Sequence, residues 1–93
     1  MKLTRKVIVK NSLGIHTRPA TTIVKLLQNC RCDISFTHRR ETVNAKSILS
    51  ILMLAAKKNS HITITCTPRE GHLDDAVETM EKLLAAFESK FGE

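Results

Sequence analysis

The sequence predicts an α+β fold in the order βαββαβα: a four-stranded, mainly antiparallel sheet covered on one face by three helices. Three observations carry this. His61–Thr67 alternates Ile62, Ile64 and Cys66 with Thr63, Thr65 and Thr67, the two-residue period of a half-buried strand. Between Leu73 and Phe87, the residues Ala76, Val77, Met80, Leu83, Leu84 and Phe87 recur as one apolar stripe at helical spacing. Strand-like and helix-like segments follow one another without linker, repeat or low-complexity stretch, and a sheet with one apolar face needs helices to cover it. Pattern alone does not set the strand order.

Taken in order, Thr4–Val9 alternates and ends on Val7 and Val9, which predicts the first strand. Ala20, Ile23, Val24 and Leu27 then recur at helical spacing and predict a helix from about Thr17 to Asn29. Cys32–Thr37 reads as a second strand with Ile34 and Phe36 on one face. The polar turn His38-Arg39-Arg40 leads to a short third strand, Glu41–Asn44. Ser47 opens a second helix, Ile48–Ala56. His61–Thr67 is the fourth strand, Pro68–Gly71 a turn, and Leu73 to about Phe87 the last helix.

A chain of 93 residues is expected to form one domain, residues 1–93, burying about two thirds of its unfolded surface. With no Trp or Tyr, the core must be aliphatic, with Phe36, Phe87 and Phe91 as its aromatics. No apolar run approaches the ~20 residues that span a bilayer, and Met1–Lys6 opens no signal-peptide pattern. The expectation is a cytoplasmic protein without membrane insertion. Cys30-x-Cys32 lacks the spacing of a C-x-x-C redox or zinc site, and His16, His38, His61 and His72 show no paired-ligand spacing. No metal site and no cofactor are expected, and Cys30, Cys32 and Cys66 read as free thiols.

Charge is distributed unevenly. Residues 1–69 carry 13 Lys and Arg against Asp33 and Glu41, a balance of +11; residues 70–93 carry Lys82 and Lys90 against seven acids, a balance of −5. Nucleic acid is not the expected partner, because base-stacking aromatics are nearly absent and no helix is dense in Arg and Lys. A basic face that steers an acidic protein partner fits better.

The chemistry concentrates in Gly14-Ile15-His16-Thr17-Arg18-Pro19-Ala20. Gly14 permits a left-handed turn, and Pro19 suits the first turn of a helix. His16 thus falls where a loop becomes a helix, beside unpaired N–H groups and the positive end of a dipole. Imidazole is both nucleophile and leaving group near neutral pH, so His16 can take up a phosphoryl group and release it. The N–H groups of Thr17 and Arg18 would hold phosphate oxygens, and the Arg18 guanidinium fork suits the same oxygens. Downstream, Ser47 stands at a helix start, where serine commonly caps. The run Ile48–Leu54 is apolar on more than one face, so part of it is expected to be exposed beside His16, while Ile51 and Leu54 or Leu52 face the sheet.

Two segments carry a family resemblance. Asn11-Ser-Leu-Gly-Ile-His-Thr-Arg-Pro-Ala20 resembles the active-site signature of HPr, the histidine-containing phosphocarrier of the bacterial phosphoenolpyruvate-dependent phosphotransferase system. Val43-Asn44-Ala45-Lys46-Ser47-Ile48 resembles the regulatory serine segment of that family, and spacing and length also match. The resemblance implies an open-faced β-sandwich. It implies a carrier, not a stand-alone enzyme, that accepts phosphate from enzyme I on Nδ1 of His16, assisted by Arg18. The phosphoryl group then passes to a histidine of an EIIA-type component. It further implies Ser47 as the target of an HPr kinase/phosphorylase, a docking patch of Ile48, Leu49 and Leu52, and a monomer. Leu13, Leu52–Ala56 and the ending Phe87–Glu93 are similar to regulatory, nitrogen-related paralogues, which makes that branch an alternative. A non-catalytic binding module that keeps the fold is another, against which the intact His16, Arg18 and Pro19 speak.

Overall fold

A computed structural model describes residues 1–93. The strands are β1 (Leu3–Ile8), β2 (Cys32–His38), β3 (Glu41–Asn44) and β4 (His61–Pro68); the helices are α1 (Thr17–Leu27), α2 (Ile48–Met53) and α3 (Leu73–Glu88). A 3₁₀ turn follows at Lys90–Gly92. The element order is the one read from the sequence. All three strand pairings are antiparallel, and the sheet order is β1-β4-β2-β3.

Register explains which face is buried. Ile34 lies opposite Cys66, Phe36 opposite both Ile64 and Val43, and Val7 opposite Ile62, so these residues share the inner face. The alternate positions Thr63, Thr65, Thr67, Ser35 and Thr42 form the outer, hydroxyl-rich face, where Thr37 and Thr42 hydroxyls meet at 2.8 Å. Arg5 pairs with Ile64 on the inner side of edge strand β1 and is exposed, a charge that discourages pairing with another sheet.

Helices cover the inner face with Ile23 and Leu27 of α1, Ile51 of α2, and Ala76, Met80, Leu83 and Phe87 of α3. Phe36, Phe87 and Phe91 stack edge to face, with ring centroids 6.0 Å and 4.9 Å apart. Val77 departs from the expected stripe and is 41% exposed. It lies about 100° around the helix from Ala76, off the line through Met80, Leu83 and Phe87. Thr79 takes the buried place on the other flank.

Helix ends differ from the sequence reading. The α2 helix stops at Met53, not Ala56, because Ala55 enters the left-handed region (φ 51°) and turns Leu54 and Ala56 inward to burial. The apolar run continues past this turn, which no Gly or Pro marks. The α1 helix ends at Leu27, not Asn29, where the Cys30 N–H closes a turn on the Leu27 carbonyl.

The expectation of three free thiols is corrected. Cys30 and Cys32 form a disulfide across a single residue, and Cys66 alone is free. Burial, and after it the charge of Asp75, pushes the Cys66 thiol up. No helix is long and apolar enough to cross a membrane.

Candidate functional site

The loop between β1 and α1 is held against the connection that follows α2. Val9 donates to the Ser60 carbonyl at 2.9 Å and accepts from the Asn59 N–H at 2.7 Å; Ile15 donates to the Ala56 carbonyl at 2.9 Å. Gly14 has φ +70°, and a Cβ there would stand 2.5 Å from the Ala56 oxygen and 2.9 Å from Lys57 Cα. Only glycine permits this close approach of two backbones. Buried Asn11 donates through Nδ2 to the Gly14 carbonyl, and its Oδ1 has no protein partner.

His16 is the N-cap of α1, with extended backbone (φ −97°, ψ −166°) and a half-buried side chain. Its ring makes no capping hydrogen bond, so it is not committed to holding the helix start. The Ala20 N–H is the first to join the ladder, on the His16 carbonyl at 3.0 Å. Pro19 has no N–H, so Thr17 and Arg18 contribute the donors that lack an acceptor within the helix. No acid lies in the first turn to offset the positive dipole end. The arrangement offers an anion two N–H donors directly beside an imidazole.

Arg18 is hydrogen-bonded to the segment after α3, not to the His16 loop. Its Nη1 donates to the Phe91 carbonyl at 3.0 Å. Lys90, Phe91 and Gly92 all have positive φ (57°, 55° and 78°), which curls the end of the chain back toward α1. There the Glu93 carboxylate accepts from the Ser12 N–H at 2.9 Å and from the Ser12 hydroxyl. These Ser12 hydrogen bonds hold its pKa below the ordinary carboxylate value. Phe91 and Glu93 are site neighbours that the sequence reading missed. The only sequence signal was the aromatic spacing Phe87-x-x-x-Phe91.

The second motif is built on α2. Ser47 is its N-cap (φ −113°, ψ 118°), and its hydroxyl accepts from the Ser50 N–H at 3.2 Å. The preceding turn is fixed by the Asn44 side chain, which accepts from the Lys46 N–H at 3.0 Å. Ile51 is fully buried and Leu54 nearly so; Leu52 is half-buried against the core. Ile48 is 37% and Leu49 69% exposed. Met53 (74%) and Leu13 in the His16 loop (75%) add exposed apolar surface that the sequence reading left out. Beyond α2, a cleft of about 830 Å³ is lined by His38, Arg39, Lys57, Lys58 and His61 with Glu41 as its one acid. It places part of the positive charge next to the segment that supports Gly14.

Known proteins share this architecture. Residues 3–89 match the family described as the PTS HPr component phosphorylation site. The chain is 46% identical over 86 residues to the phosphocarrier protein HPr of Chlamydia pneumoniae, covering 92% of this chain and 75% of that protein. It is 33% identical over 90 residues to the phosphocarrier protein NPr of Proteus mirabilis, covering 96% and 94%. The crystal structure of HPr-C-His from Thermoanaerobacter tengcongensis superposes with a TM-score of 0.87 at 28% identity, covering 98% and 97% of the two chains. With its open-faced sandwich of four strands and three helices, the chain belongs to the HPr family of phosphocarriers of the phosphotransferase system.

Proposed function

We propose that His16 receives a phosphoryl group from the phosphohistidine of enzyme I and passes it to a histidine of an EIIA-type component. The observation that carries this reading is the placement of a half-buried, uncommitted His16 ring at the N-cap of α1. In the transfer, a lone pair on His16 Nδ1 forms the new N–P bond while the donor's N–P bond breaks. The donor imidazole leaves with the electron pair and is protonated. Thr17 and Arg18 N–H groups and the Arg18 guanidinium stabilise the phosphoryl oxygens as charge passes through them. Partial exposure keeps that hold weak enough for release. The protein is a carrier regenerated by its partners, and no cofactor or metal enters its step.

Ile48, Leu49 and Leu52 form the docking patch, and the neighbouring cationic cleft steers an acidic partner toward it. Ser47 is the site at which an HPr kinase/phosphorylase would regulate docking, because a phosphate there places about two negative charges beside the patch. The protein acts in the cytoplasm as a single folded domain and a monomer. A nitrogen-branch relay is the second reading, supported by the similarity to the Proteus mirabilis NPr.

The test is phosphorylation from phosphoenolpyruvate with sugar-branch and nitrogen-branch enzyme I, alongside His16→Ala. The expected product is acid-labile, alkali-stable and absent in the variant, and the faster donor names the branch. No label from either donor would overturn the carrier reading in favour of a binding module.

A further inference from the structure

At the far end of α1 from His16, three ligand-bearing side chains converge. Cys30 Sγ, Cys32 Sγ and a carboxylate oxygen of Asp75 all lie within 4.8 Å of one another. Cys30 lies in the turn between α1 and β2, Cys32 is the first residue of β2, and Asp75 lies in the first turn of α3. The segment carrying the two sulfurs is pinned from three sides. Lys46 Nζ donates to the Cys30 carbonyl at 2.8 Å, the Arg69 N–H donates to the Arg31 carbonyl at 3.1 Å, and the Arg31 N–H donates to Asp75 Oδ2 at 2.8 Å. The last bond orients the carboxylate as outer-sphere donors orient metal ligands.

We propose that the reduced Cys30–Cys32 pair and Asp75 form a binding site for a thiophilic divalent cation, Zn²⁺. Two thiolates and a carboxylate are a borderline-soft donor set that suits zinc. In the disulfide form the Asp75 carboxylate accepts from the Arg31 N–H, and on reduction an anion beside two sulfurs opposes formation of their thiolates. A dication between all three makes the same placement favourable. Cys30 and Cys32 are buried, but exposed Arg31 between them and half-buried Asp75 open one side to solvent.

The disulfide and the metal are alternative occupants of the site. A small-molecule dithiol opens the Cys30–Cys32 bond: two electrons and two protons pass to the sulfurs, and the reductant becomes the cyclic disulfide. The sulfurs then part to about 3.7 Å, as two 2.3 Å bonds at a tetrahedral angle require. Zn²⁺ displaces the two thiol protons and takes one carboxylate oxygen, and water completes the tetrahedron. Sequence spacing hid this site because its third ligand lies on a helix far along the chain.

The test uses the full chain, reduced under anaerobic conditions and titrated with Co²⁺ and then Zn²⁺. The expected result is a sulfur-to-cobalt charge-transfer band at one equivalent, removed by Zn²⁺ and absent from the oxidised protein. Cys66→Ser should keep the band, and Cys30→Ser should lose it. Asp75→Asn keeps an acceptor for Arg31 and should weaken Zn²⁺ by at least the about 10–100-fold that outer-sphere partners contribute. Bound Zn²⁺ should also slow alkylation of the reduced pair by iodoacetamide. No band in the reduced wild type, or a band that follows Cys66 instead of Cys30, overturns the proposal, and the wild-type titration and alkylation readings stand even if a cysteine variant fails to fold.

Discussion

Nη1 of Arg18 donates to the backbone carbonyl of Phe91 at 3.0 Å, joining the start of α1 to a residue 73 positions later. Phe91 is itself buried against Phe87, so the carbonyl that holds Arg18 is anchored in the core.

A phosphoryl dianion on His16 is a stronger acceptor than this neutral carbonyl, so Arg18 is expected to change partner when His16 is phosphorylated. Arg18→Ala should slow phosphotransfer about 10- to 100-fold, the worth of a hydrogen bond to a charged group. Rapid-quench transfer from enzyme I measures this. In parallel, the Phe91 and Gly92 backbone resonances should shift on phosphorylation in the wild type. A variant that transfers at the wild-type rate would remove Arg18 from the mechanism.

Gly14 is the tightest position in the site. Its φ of +70° and the 2.5 Å approach of an added Cβ to the Ala56 oxygen leave no room for any side chain. Gly14→Ala should cost about 1–3 kcal/mol through backbone strain and displacement. For a domain of this size that is a fall in Tm of roughly 5–20 °C. An unchanged Tm would mean that the loop moves off Ala56 without cost.

The sequence disclosed most where period and chemistry coincide. The alternation of Ile62, Ile64 and Cys66 marked β4 and its buried face. Gly14, His16 and Pro19 marked the loop-to-helix junction. It disclosed least where long-range contacts overrule local pattern. The α2 helix stops because Ala55 adopts a left-handed turn, which its apolar neighbours give no reason to expect. Glu93 meets Ser12 across a separation of 81 residues, and Asp75 meets Cys30 and Cys32 only because α3 returns over the sheet.

Ser47 has a structural role that is separable from the proposed regulation. Its hydroxyl accepts from the Ser50 N–H at 3.2 Å, so Ser47→Ala should cost about 0.5–2 kcal/mol of stability. Ser47→Asp keeps an acceptor at the cap and should hold the wild-type Tm while slowing transfer from enzyme I. Normal transfer by the Asp variant would leave Ser47 as a cap alone.

The contact between Glu93 and Ser12 should titrate. The Ser12 hydrogen bonds lower the Glu93 pKa from 4.5 in the folded chain. Its contribution to holding the chain end is therefore fully present above about pH 4.5 and is lost as pH falls through the lower, folded value. The Ser12 amide resonance should move with a midpoint below 4.5, and Glu93→Gln should abolish that movement. A midpoint at or above 4.5 would show that the contact does not persist in solution.

Two residues of α2 separate packing from the proposed docking. Ile51 is fully buried, whereas Leu49, two positions earlier on the same short helix, is 69% exposed. Ile51→Ala should cost about 2–5 kcal/mol, the usual range for truncating a buried aliphatic side chain. Leu49→Glu removes little packing and should leave stability within about 0.5 kcal/mol of wild type. It places an acid in the proposed docking patch beside the cationic cleft, so it should raise the KM for transfer from enzyme I with little change in kcat. Thermal denaturation and transfer kinetics on the two variants read the two effects independently. If Leu49→Glu transfers normally while Ile51→Ala fails only through instability, then α2 supports the site without touching the partner, and docking lies elsewhere on the molecule.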